Sequence, residues 1–522
     1  MNVSWISYYK DTINRGYWDQ GQLEDLLSDR RLGYDIEHLE MWGGQIAVIP
    51  GRFHANRVER ITERTNRDVW SLLIVTSDEE GTFPWELVSH PNWRLWVQTP
   101  RKDGDYQPFG VGYPPHCRPL LGDELPEKTV DGFFAGQITH ERREDCARVL
   151  SRMKRGRLIG TEGFTQGLPP AEYFTRLKTA KVAPCPSGPL TPDTFRLYEA
   201  LEAGCIPVVD RVAPTGEEGY WERLFGTVPF PVVRSWEELP KIVSNVDWPA
   251  DANRIGSWWA LYKRKLVFQM SHDIERLSGQ VASRDDITVI MPTSPIPSHP
   301  DLSVIQETIG SIRERSDCEI LVMADGVRPE QDHLRARYEE YLRRLIWWAG
   351  RQQGVTVIRF DEFSHQAEMT RQTLPLVETP EVMFVEHDTP LVNDIPFDGL
   401  CKIVHEGMFD VIRLHHETMI LPDHKPLLVD HRPWVMHGLQ ILPTVQWSQR
   451  PHIARTSWYA QMIDKYFPPS GRTMIEDRIH GIVQTEGWGP WKVGIYSPDG
   501  SILRSRHLDA RGDEPKFEMK YE

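Results

Sequence analysis

At 522 residues the chain is too long for one hydrophobic core, and we expect about two to four domains. The net charge of −15 argues against the binding of nucleic acid or of an anionic membrane surface as the primary role, and it leaves room for local basic pockets. No apolar run is long enough to span a membrane, and the first residues lack the pattern of a signal peptide, so we expect a cytoplasmic protein.

The cysteine and tryptophan content narrows the class of protein further. The 6 cysteines are scattered without a CxxC pair, which favours reduced thiols over a disulfide framework or a zinc site. The 19 tryptophans are a high number for a globular chain. Because indole faces stack on sugar rings, they weakly favour a protein that acts on carbohydrates.

Residues 1–128 mix short apolar runs with loops rich in proline and glycine, which predicts an open α/β sheet. The predicted elements are strands at 45–49, 70–75 and 93–98 and helices around 21–32 and 54–66.

A second α/β segment is predicted to begin at the strand 132–136, which ends in glycine and is followed by a helix from His140. Arg142 lies at this strand-to-helix junction. Free backbone N–H groups and a guanidinium at such a junction can receive a phosphate group. An exposed, charged helix start explains the same residues equally well.

The block 173–209 predicts a helix, a short strand, a Pro/Gly loop, an amphipathic helix that ends at Gly204, and a buried strand. It contains a Cys-Pro-Ser-Gly loop at 185–188, then Arg196, then Glu-Ala-Leu at 199–201 and Gly-Cys-Ile-Pro-Val-Val at 204–209.

These motifs resemble the exostosin family of glycosyltransferases. The resemblance implies the two-Rossmann arrangement called GT-B, with the nucleotide in the second half. It also implies that Glu199 binds the ribose hydroxyls and that Arg196, Ser187 and Gly188 face the diphosphate. Without the resemblance, Glu199 is an ordinary helix carboxylate.

A long helical pattern over 251–282 is followed by linker-like residues at 279–286, and the chain then restarts. Four predicted elements of this second part contain or precede candidate site residues. They are a strand from Ile287 that meets Pro292, a strand before Asp325, a helix with Arg371, and a strand that stops at Glu386 and Asp388. Two carboxylates at the carboxyl end of a parallel strand can hold a hard cation, although a strand that ends in solvated acids is the simpler alternative.

This order of elements resembles family 2 glycosyltransferases, which have the single-domain GT-A fold. The resemblance implies nucleotide-sugar contacts from Asp325, Arg371 and the Pro292 loop. It implies metal binding by Asp388 and Glu386, although the family usually has aspartate at the position of Glu386.

Two further predictions follow from the carboxyl-terminal residues. Glu476 and Asp477 occupy the place of the family's catalytic motif, where one carboxylate takes the proton from the acceptor hydroxyl in an inverting transfer. A Glu-Asp pair also stabilises a helix start without any catalytic role. His507 is a candidate third metal ligand.

We therefore expect an α/β protein with a GT-B-like pair of Rossmann-type subdomains at 1–128 and 129–282 and a GT-A-like domain at 287–522. The expected function is a bifunctional glycosyltransferase that uses nucleotide sugars and a hydroxyl acceptor on a glycan or glycoprotein. We expect Mn²⁺ or Mg²⁺ in the domain at 287–522 and no metal requirement in the first module. No nucleic-acid partner is expected.

Two other classes of function stay open. One is a nucleotidyltransferase, although the loop 291–294 lacks the glycines that such enzymes place after the first strand. The other is a glycan-binding scaffold in which one module has lost activity, which the glutamate at position 386 allows.

Overall fold

The computed structural model describes residues 3–5, 20–27, 32–33, 46–50, 71–76, 83, 91–100, 104–163, 166–278, 287–417, 419–496 and 502–508. Two compact units divide the chain, Met1–Ala282 and Ser283–Glu522. The predicted helix at 54–66 and the predicted linker at 279–286 lie outside the described residues.

The first sheet of the first unit is parallel throughout its described strands. These strands are β1 (Val3–Trp5), β2 (Leu32–Gly33), β3 (Ile46–Pro50), β4 (Ser71–Thr76), β5 (Trp93–Val97) and β6 (Gln107–Pro108). Their order is β2-β1-β3-β4-β5-β6. All six residues of β4 are buried, as expected for a parallel strand covered on both faces.

One predicted helix is shorter than the sequence pattern indicates. The helix expected over 21–32 is α1 (Gln20–Leu27). Leu32 and Gly33 instead form an extended strand that pairs with Val3 and Ser4. A backbone cannot be helical and satisfy a strand ladder at once, so the pairing with β1 decides the conformation there.

The second sheet of the first unit is also parallel. Its strands are β7 (Val130–Gln137), β8 (Gly156–Thr161), β9 (Ala180–Cys185), β10 (Ile206–Asp210) and β11 (Val232–Val233), in the order β11-β10-β9-β7-β8. Among the described residues of this unit, the helices that follow α1 are α2 (Glu141–Arg152), α3 (Pro170–Lys178), α4 (Phe195–Glu202), α5 (Tyr220–Phe225), α6 (Leu239–Asn245) and α7 (Ala250–Ser278).

The long helix α7 packs on the hydrophobic cores of both sheets. Trp259 belongs to the core of the second sheet, and Met270 belongs to the core of the first. Asp273 accepts hydrogen bonds from Trp96 Nε1 at 2.8 Å and from Arg94 Nε at 3.1 Å, which ties α7 to β5. The last turns of α7 therefore stabilise the sheet formed by the first residues of the chain.

The second unit contains one mixed sheet among its described residues. Its strands are β12 (Ile287–Thr293), β13 (Glu319–Ala324), β14 (Val355–Arg359), β15 (Glu381–Phe384), β16 (Val411–Leu414), β17 (Trp434–Met436), β18 (Leu439–Thr444), β19 (His452–Arg455) and β20 (Val493–Tyr496). The order is β14-β13-β12-β15-β19-β16-β20-β18-β17. Strands β14, β13, β12 and β15 are parallel, and β19 is antiparallel to both of its neighbours.

Six α-helices accompany this sheet in the described part of the second unit. They are α8 (Ser303–Arg313), α9 (Arg335–Ala349), α10 (His365–Thr373), α11 (Phe397–His405), α12 (Thr456–Tyr466) and α13 (Ile475–Glu486). The helix expected at 456–466 has the bounds that the sequence predicts.

Pro292 lies inside β12 even though proline has no N–H to donate to a strand ladder. The pairing of β12 with β15 reaches only as far as Ile290 and Phe384. Beyond it, Val385 N donates to Ile290 O at 3.1 Å, and the two segments then separate. At Pro292, β12 has therefore already separated from β15. The missing N–H of proline costs no hydrogen bond between these two strands.

No helix of the described residues combines the length and the apolarity needed to cross a membrane. All six cysteines are buried and free.

We expect the fragments 1–282 and 283–522, produced separately, each to unfold in its own cooperative transition, because each carries its own sheets and core. Calorimetry of the fragments and of the full chain would measure this. Aggregation of both fragments from a soluble parent would contradict the boundary.

Candidate active site

The segment 385–388 continues the chain past the end of β15 and places two carboxylates at the carboxyl edge of the parallel strands. Glu386 and Asp388 are both partly buried. Thr389 N donates to Glu386 O at 3.0 Å, which turns the chain away from the sheet. We call 385–388 the acid segment.

The segment 502–508 lies along the acid segment and the residues that follow it. Leu508 N donates to Asp388 O at 2.8 Å, and Ser505 forms an antiparallel bridge with Leu391. These backbone contacts bring His507 Nε2 to 3.3 Å from Asp388 Oδ2. The predicted third ligand and the predicted metal carboxylate are therefore direct neighbours.

The two acids of the acid segment have different pKa values. Burial raises the pKa of Asp388, but the hydrogen bond from His507 and the nearby imidazoles outweigh this and lower it overall. Burial and the negative charge of Asp388 raise the pKa of Glu386 to about 7. Two buried acids of like charge repel each other, and a cation is the partner that would remove this repulsion.

The side chains of Asp388, Glu386 and His507 fit a divalent cation in donor chemistry. Carboxylate oxygens suit Mg²⁺ and Mn²⁺, and one imidazole is compatible with Mn²⁺. Their donor atoms are not as close together as in the tightest group of such donors in the described chain, which lies in the first unit.

Gln366 of α10 joins the acid segment to the start of α13. Its Nε2 donates to Glu386 Oε1 at 3.3 Å, and its Oε1 accepts from Ile475 N at 3.3 Å. The side chain is buried, so both contacts are shielded from water. Gln366 therefore holds the predicted metal site and the predicted catalytic pair next to each other.

Glu476 and Asp477 occupy the first turn of α13 and differ in orientation. Glu476 Oε2 accepts from Gln449 N at 2.9 Å, and its charge contributes to the raised pKa of Glu386. Asp477 is exposed. Of the two predicted catalytic carboxylates, Glu476 is thus the one that faces the acid segment.

His387 lies between the two acids in the sequence of the acid segment. It is buried, and a hydrogen bond joins its ring to the backbone of Pro292. Burial lowers the pKa of His387, so the ring is neutral at pH 7. The predicted nucleotide-sugar contact of Pro292 stays a prediction; its backbone serves here to orient His387.

Asp325, predicted to bind the base or ribose, follows the end of β13. Its Oδ1 accepts from Gly326 N at 2.9 Å and Ser364 N at 2.7 Å, and its Oδ2 accepts from His365 N at 3.0 Å. Burial raises its pKa against the opposing effect of these three bonds. The carboxylate therefore fixes the loop before α10, and its contact with a nucleotide stays a prediction.

Arg371, predicted to lie near the nucleotide, has protein partners at the end of α12. Its guanidinium donates to Ile463 O at 3.2 Å and Phe467 O at 2.6 Å and pairs with the carboxylate of Asp464. These contacts commit Arg371 to holding α10 against α12. The structure does not group it with the acid segment.

In the first unit, the predicted phosphate residues also have internal partners. Arg142 pairs with buried Asp210 and donates to Arg234 O at 3.0 Å. Asp210 Oδ2 in turn accepts from Ser187 N at 2.8 Å. At Gly188, an added Cβ would lie 3.2 Å from Thr191 O, so the loop is tight there.

Arg196 and Glu199 form an ion pair on α4. Arg196 Nη1 donates to Glu199 Oε2 at 2.5 Å, and Tyr173 OH donates to the same oxygen at 2.8 Å. The side chain of Glu199 is fully buried, and within the described residues its Oε1 has no hydrogen-bond partner. Arg196, predicted to face the diphosphate, and Glu199, predicted to bind the ribose, are thus adjacent. Oxygen Oε1 of Glu199 is the carboxylate oxygen without a hydrogen-bond partner among the described residues.

Sequence reasoning missed three residues of the second-unit site: Gln366, Gln449 and Arg450. The positive charge of Arg450 opposes the rise in the pKa of Glu386 and of His507 without reversing it. The polar run after buried Trp447 was the available signal for Gln449 and Arg450. The sequence contains no comparable signal for Gln366, because it is the fold that brings this residue to the acid segment.

Comparison with known proteins gives one family match. A family model described as the RXYLT1 C-terminal domain matches residues 166–272, which lie in the first unit and include Arg196 and Glu199. No curated protein is similar enough to the chain to count as a match.

Solved structures are similar to part of the chain. TarS 1–349 of S. aureus aligns at 16% sequence identity over 43% of this chain and 60% of that chain, with a TM-score of 0.28. Its complex with UDP-GlcNAc aligns at 14% identity over 44% and 61%, with a TM-score of 0.28. GalNAc-T7 with UDP, GalNAc and Mn²⁺ aligns at 12% identity over 43% and 44%, with a TM-score of 0.29. The chain spans less than two thirds of these proteins, and TM-scores of this size do not establish a common fold.

We expect Gln366→Ala to lower the free energy of unfolding of the 283–522 unit by about 1–3 kcal/mol, because it leaves Ile475 N and Glu386 Oε1 unpaired. Gln372→Ala on the exposed side of the same helix is the matched control, with an expected change within about 0.5 kcal/mol. Urea unfolding would measure both. Equal effects of the two variants would show that Gln366 does not bridge the site.

Proposed function

We propose that the second unit is a GT-A-like glycosyltransferase that uses a nucleotide-sugar donor and a divalent cation. One observation carries the proposal: Gln366 brings Glu476 next to Glu386, so a metal-type carboxylate pair and a base-type carboxylate share one site. If β15 simply ended in two solvated acids, a third carboxylate beside them would not be expected.

The sheet topology supports the position of the site. Strand β12 has β13 on one side and β15 on the other, so the direction of chain progression reverses between β12 and β15. Open α/β sheets bind ligands at this switch point, outside the carboxyl ends of the strands. The acid segment follows β15, and Asp325 follows β13, so both lie at that edge.

The charge distribution supports phosphate chemistry at the acid segment. A cation held there by Asp388, with Glu386 and His507, would supply positive charge that neutralises the leaving diphosphate. Asp388 is prepared for this role because its hydrogen bond with His507 keeps it ionised. Arg450 adds positive charge on the same side, since it acts on both Glu386 and His507.

Glu476 is the proposed base. In an inverting transfer it accepts the proton of the acceptor hydroxyl while that oxygen bonds to the anomeric carbon and the bond from that carbon to the diphosphate breaks. The hydrogen bond from Gln449 N to its Oε2 orients the carboxylate and leaves Oε1 to accept the proton.

The family match supports the same class of function for the first unit, because the RXYLT1 C-terminal domain belongs to a family related to glycosyltransferases. A second transfer activity in the first unit stays a prediction from the exostosin resemblance. The pairing of Arg142 with Asp210 and of Arg196 with Glu199 favours instead a first unit that has no transfer activity of its own.

We expect Asp388→Asn to lower Mn²⁺-dependent turnover of nucleotide sugars by more than about 100-fold, because a neutral amide no longer balances the cation. Hydrolysis of a panel of UDP- and GDP-sugars by the full chain, with Mn²⁺ or with EDTA, would measure this. Asp398→Asn, an exposed aspartate of α11, is the control and should keep wild-type turnover. Unchanged metal-dependent turnover in Asp388→Asn would place the metal elsewhere.

We expect Glu476→Gln to lower kcat by about 10²–10⁴-fold with little change in donor affinity, because the amide cannot accept the acceptor proton. Asp477→Asn is the matched control, one residue along the same helix. Transfer kinetics and calorimetric titration with the donor would separate the two quantities. A larger loss of kcat in Asp477→Asn would reassign the base to Asp477.

A further inference from the structure

A group of three metal-type donors lies in the first unit, away from the acid segment. It consists of His116 and Cys117, in the short 3₁₀ turn Pro115–Cys117, and Glu199 of α4. One donor atom from each side chain lies within 4.8 Å of the other two. No CxxC motif marks these residues, since two are adjacent and the third comes much later in the chain.

Two polar atoms of this group lack partners within the described residues. They are Glu199 Oε1 and His116 Nε2, and both are buried. The other oxygen of Glu199 is saturated by Tyr173 OH and Arg196. Buried polar atoms without a partner are rare and costly, and two of them in one small group indicate a ligand.

We propose that His116, Cys117 and Glu199 bind a Zn²⁺ ion, or a similar late first-row divalent ion, through the imidazole, the thiolate and carboxylate oxygen Oε1. A nitrogen, a sulfur and an oxygen donor form a typical zinc set, whereas Mg²⁺ and Ca²⁺ take oxygen ligands. Three protein ligands leave the fourth tetrahedral position for water. Binding replaces the thiol proton of Cys117, which leaves to solvent.

The geometry requires only a small adjustment. Metal bonds of about 2.0–2.3 Å in a tetrahedral site bring donor atoms to about 3–4 Å from one another. The donors lie within 4.8 Å before any ion is bound. A contraction of about 1 Å at one side chain is within reach of a rotation about χ1 or χ2, so no backbone change is needed.

The charges around the group identify Cys117 as the decisive ligand. Arg196 already neutralises Glu199, and nearby Glu202 is held by Lys263 Nζ and Trp259 Nε1, each at 2.7 Å. The new negative charge that meets the ion therefore comes from the Cys117 thiolate. The bound ion would fix the turn 115–117 to α4.

The same carboxylate oxygen cannot serve a ribose and a metal ion at once. The exostosin resemblance assigns Glu199 to the ribose hydroxyls, whereas the proposed ion takes Oε1, the oxygen that is free. A metal-loaded first unit would therefore bind a nucleotide more weakly than a metal-free one.

The test uses the full chain, first stripped with a chelator and then titrated with Zn²⁺ or Co²⁺. We expect an ion to be retained through gel filtration and the Co²⁺-loaded chain to give a thiolate-to-metal absorption band. That band separates this site from the acid segment, whose proposed ligands contain no sulfur.

Cys117→Ser should abolish the absorption band, and Cys146→Ser, another buried cysteine of the same unit, should keep it. His116→Gln is the second variant should Cys117→Ser fail to fold, as judged by thermal unfolding without metal. Absence of the band in the wild type, or its survival in Cys117→Ser or His116→Gln, would overturn the proposal. UDP titration of the metal-loaded and stripped chains would then report the competition for Oε1.

Discussion

The second unit is organised around the burial of two like charges at the end of one strand. Glu386 and Asp388 cannot both stay ionised and unpaired in a partly buried site, because their repulsion is poorly screened there. The chain resolves this by giving Asp388 a histidine partner and by raising the pKa of Glu386 to about 7. The contacts that bring distant segments together, from Gln366 and His507, both end on these two carboxylates.

The asymmetry between the two acids follows from their partners and not from their residue types. Isolated, a glutamate and an aspartate differ by less than about half a pKa unit. Here the imidazole lies beside Asp388, whereas Glu386 receives a hydrogen bond of 3.3 Å from the neutral amide of Gln366. Asp388 therefore holds its negative charge more readily than Glu386, and a cation that approaches the site would favour the ionised form of Glu386.

The features that sequence predicted well are those that depend on neighbours along the chain. The strand that stops before Glu386 is recognisable because an apolar run meets acids and then a proline. The helix at 456–466 is recognisable from its period, and the structure has it at those residues. The turn of the backbone at Thr389 needs no distant partner either.

The features that sequence could not predict depend on tertiary contacts. Gln366 is an ordinary polar residue until the fold places Glu386 on one side of it and Ile475 on the other. Leu32 had the pattern of a helix end, and pairing with β1 made it a strand. In both cases a long-range backbone or side-chain contact outweighs the local preference.

Two arginines that the sequence predicts as phosphate ligands also show that tertiary contacts decide a residue's role. Arg142 and Arg371 stand at positions where a phosphate ligand is expected, and a guanidinium suits a phosphate well. A guanidinium suits a carboxylate equally well, and the folded chain supplies one to each: Asp210 to Arg142 and Asp464 to Arg371. Residue type alone cannot separate these two outcomes.

The two candidate metal sites also depend on tertiary contacts, because each combines residues that are distant in the sequence. The acids of the acid segment are recognisable in the sequence, whereas the group around Glu199 has no spacing that a motif search would find. Glu386 and Asp388 follow the end of β15, whereas His116 and Cys117 lie in a short turn and Glu199 lies within α4. The donor atoms then decide which ion fits: oxygens with one imidazole suit Mn²⁺, and a thiolate selects a softer ion such as Zn²⁺. The two proposed sites therefore differ in the ion that their donor atoms prefer, although Zn²⁺ also binds carboxylate and imidazole donors, so ligand chemistry alone does not keep it out of the acid segment.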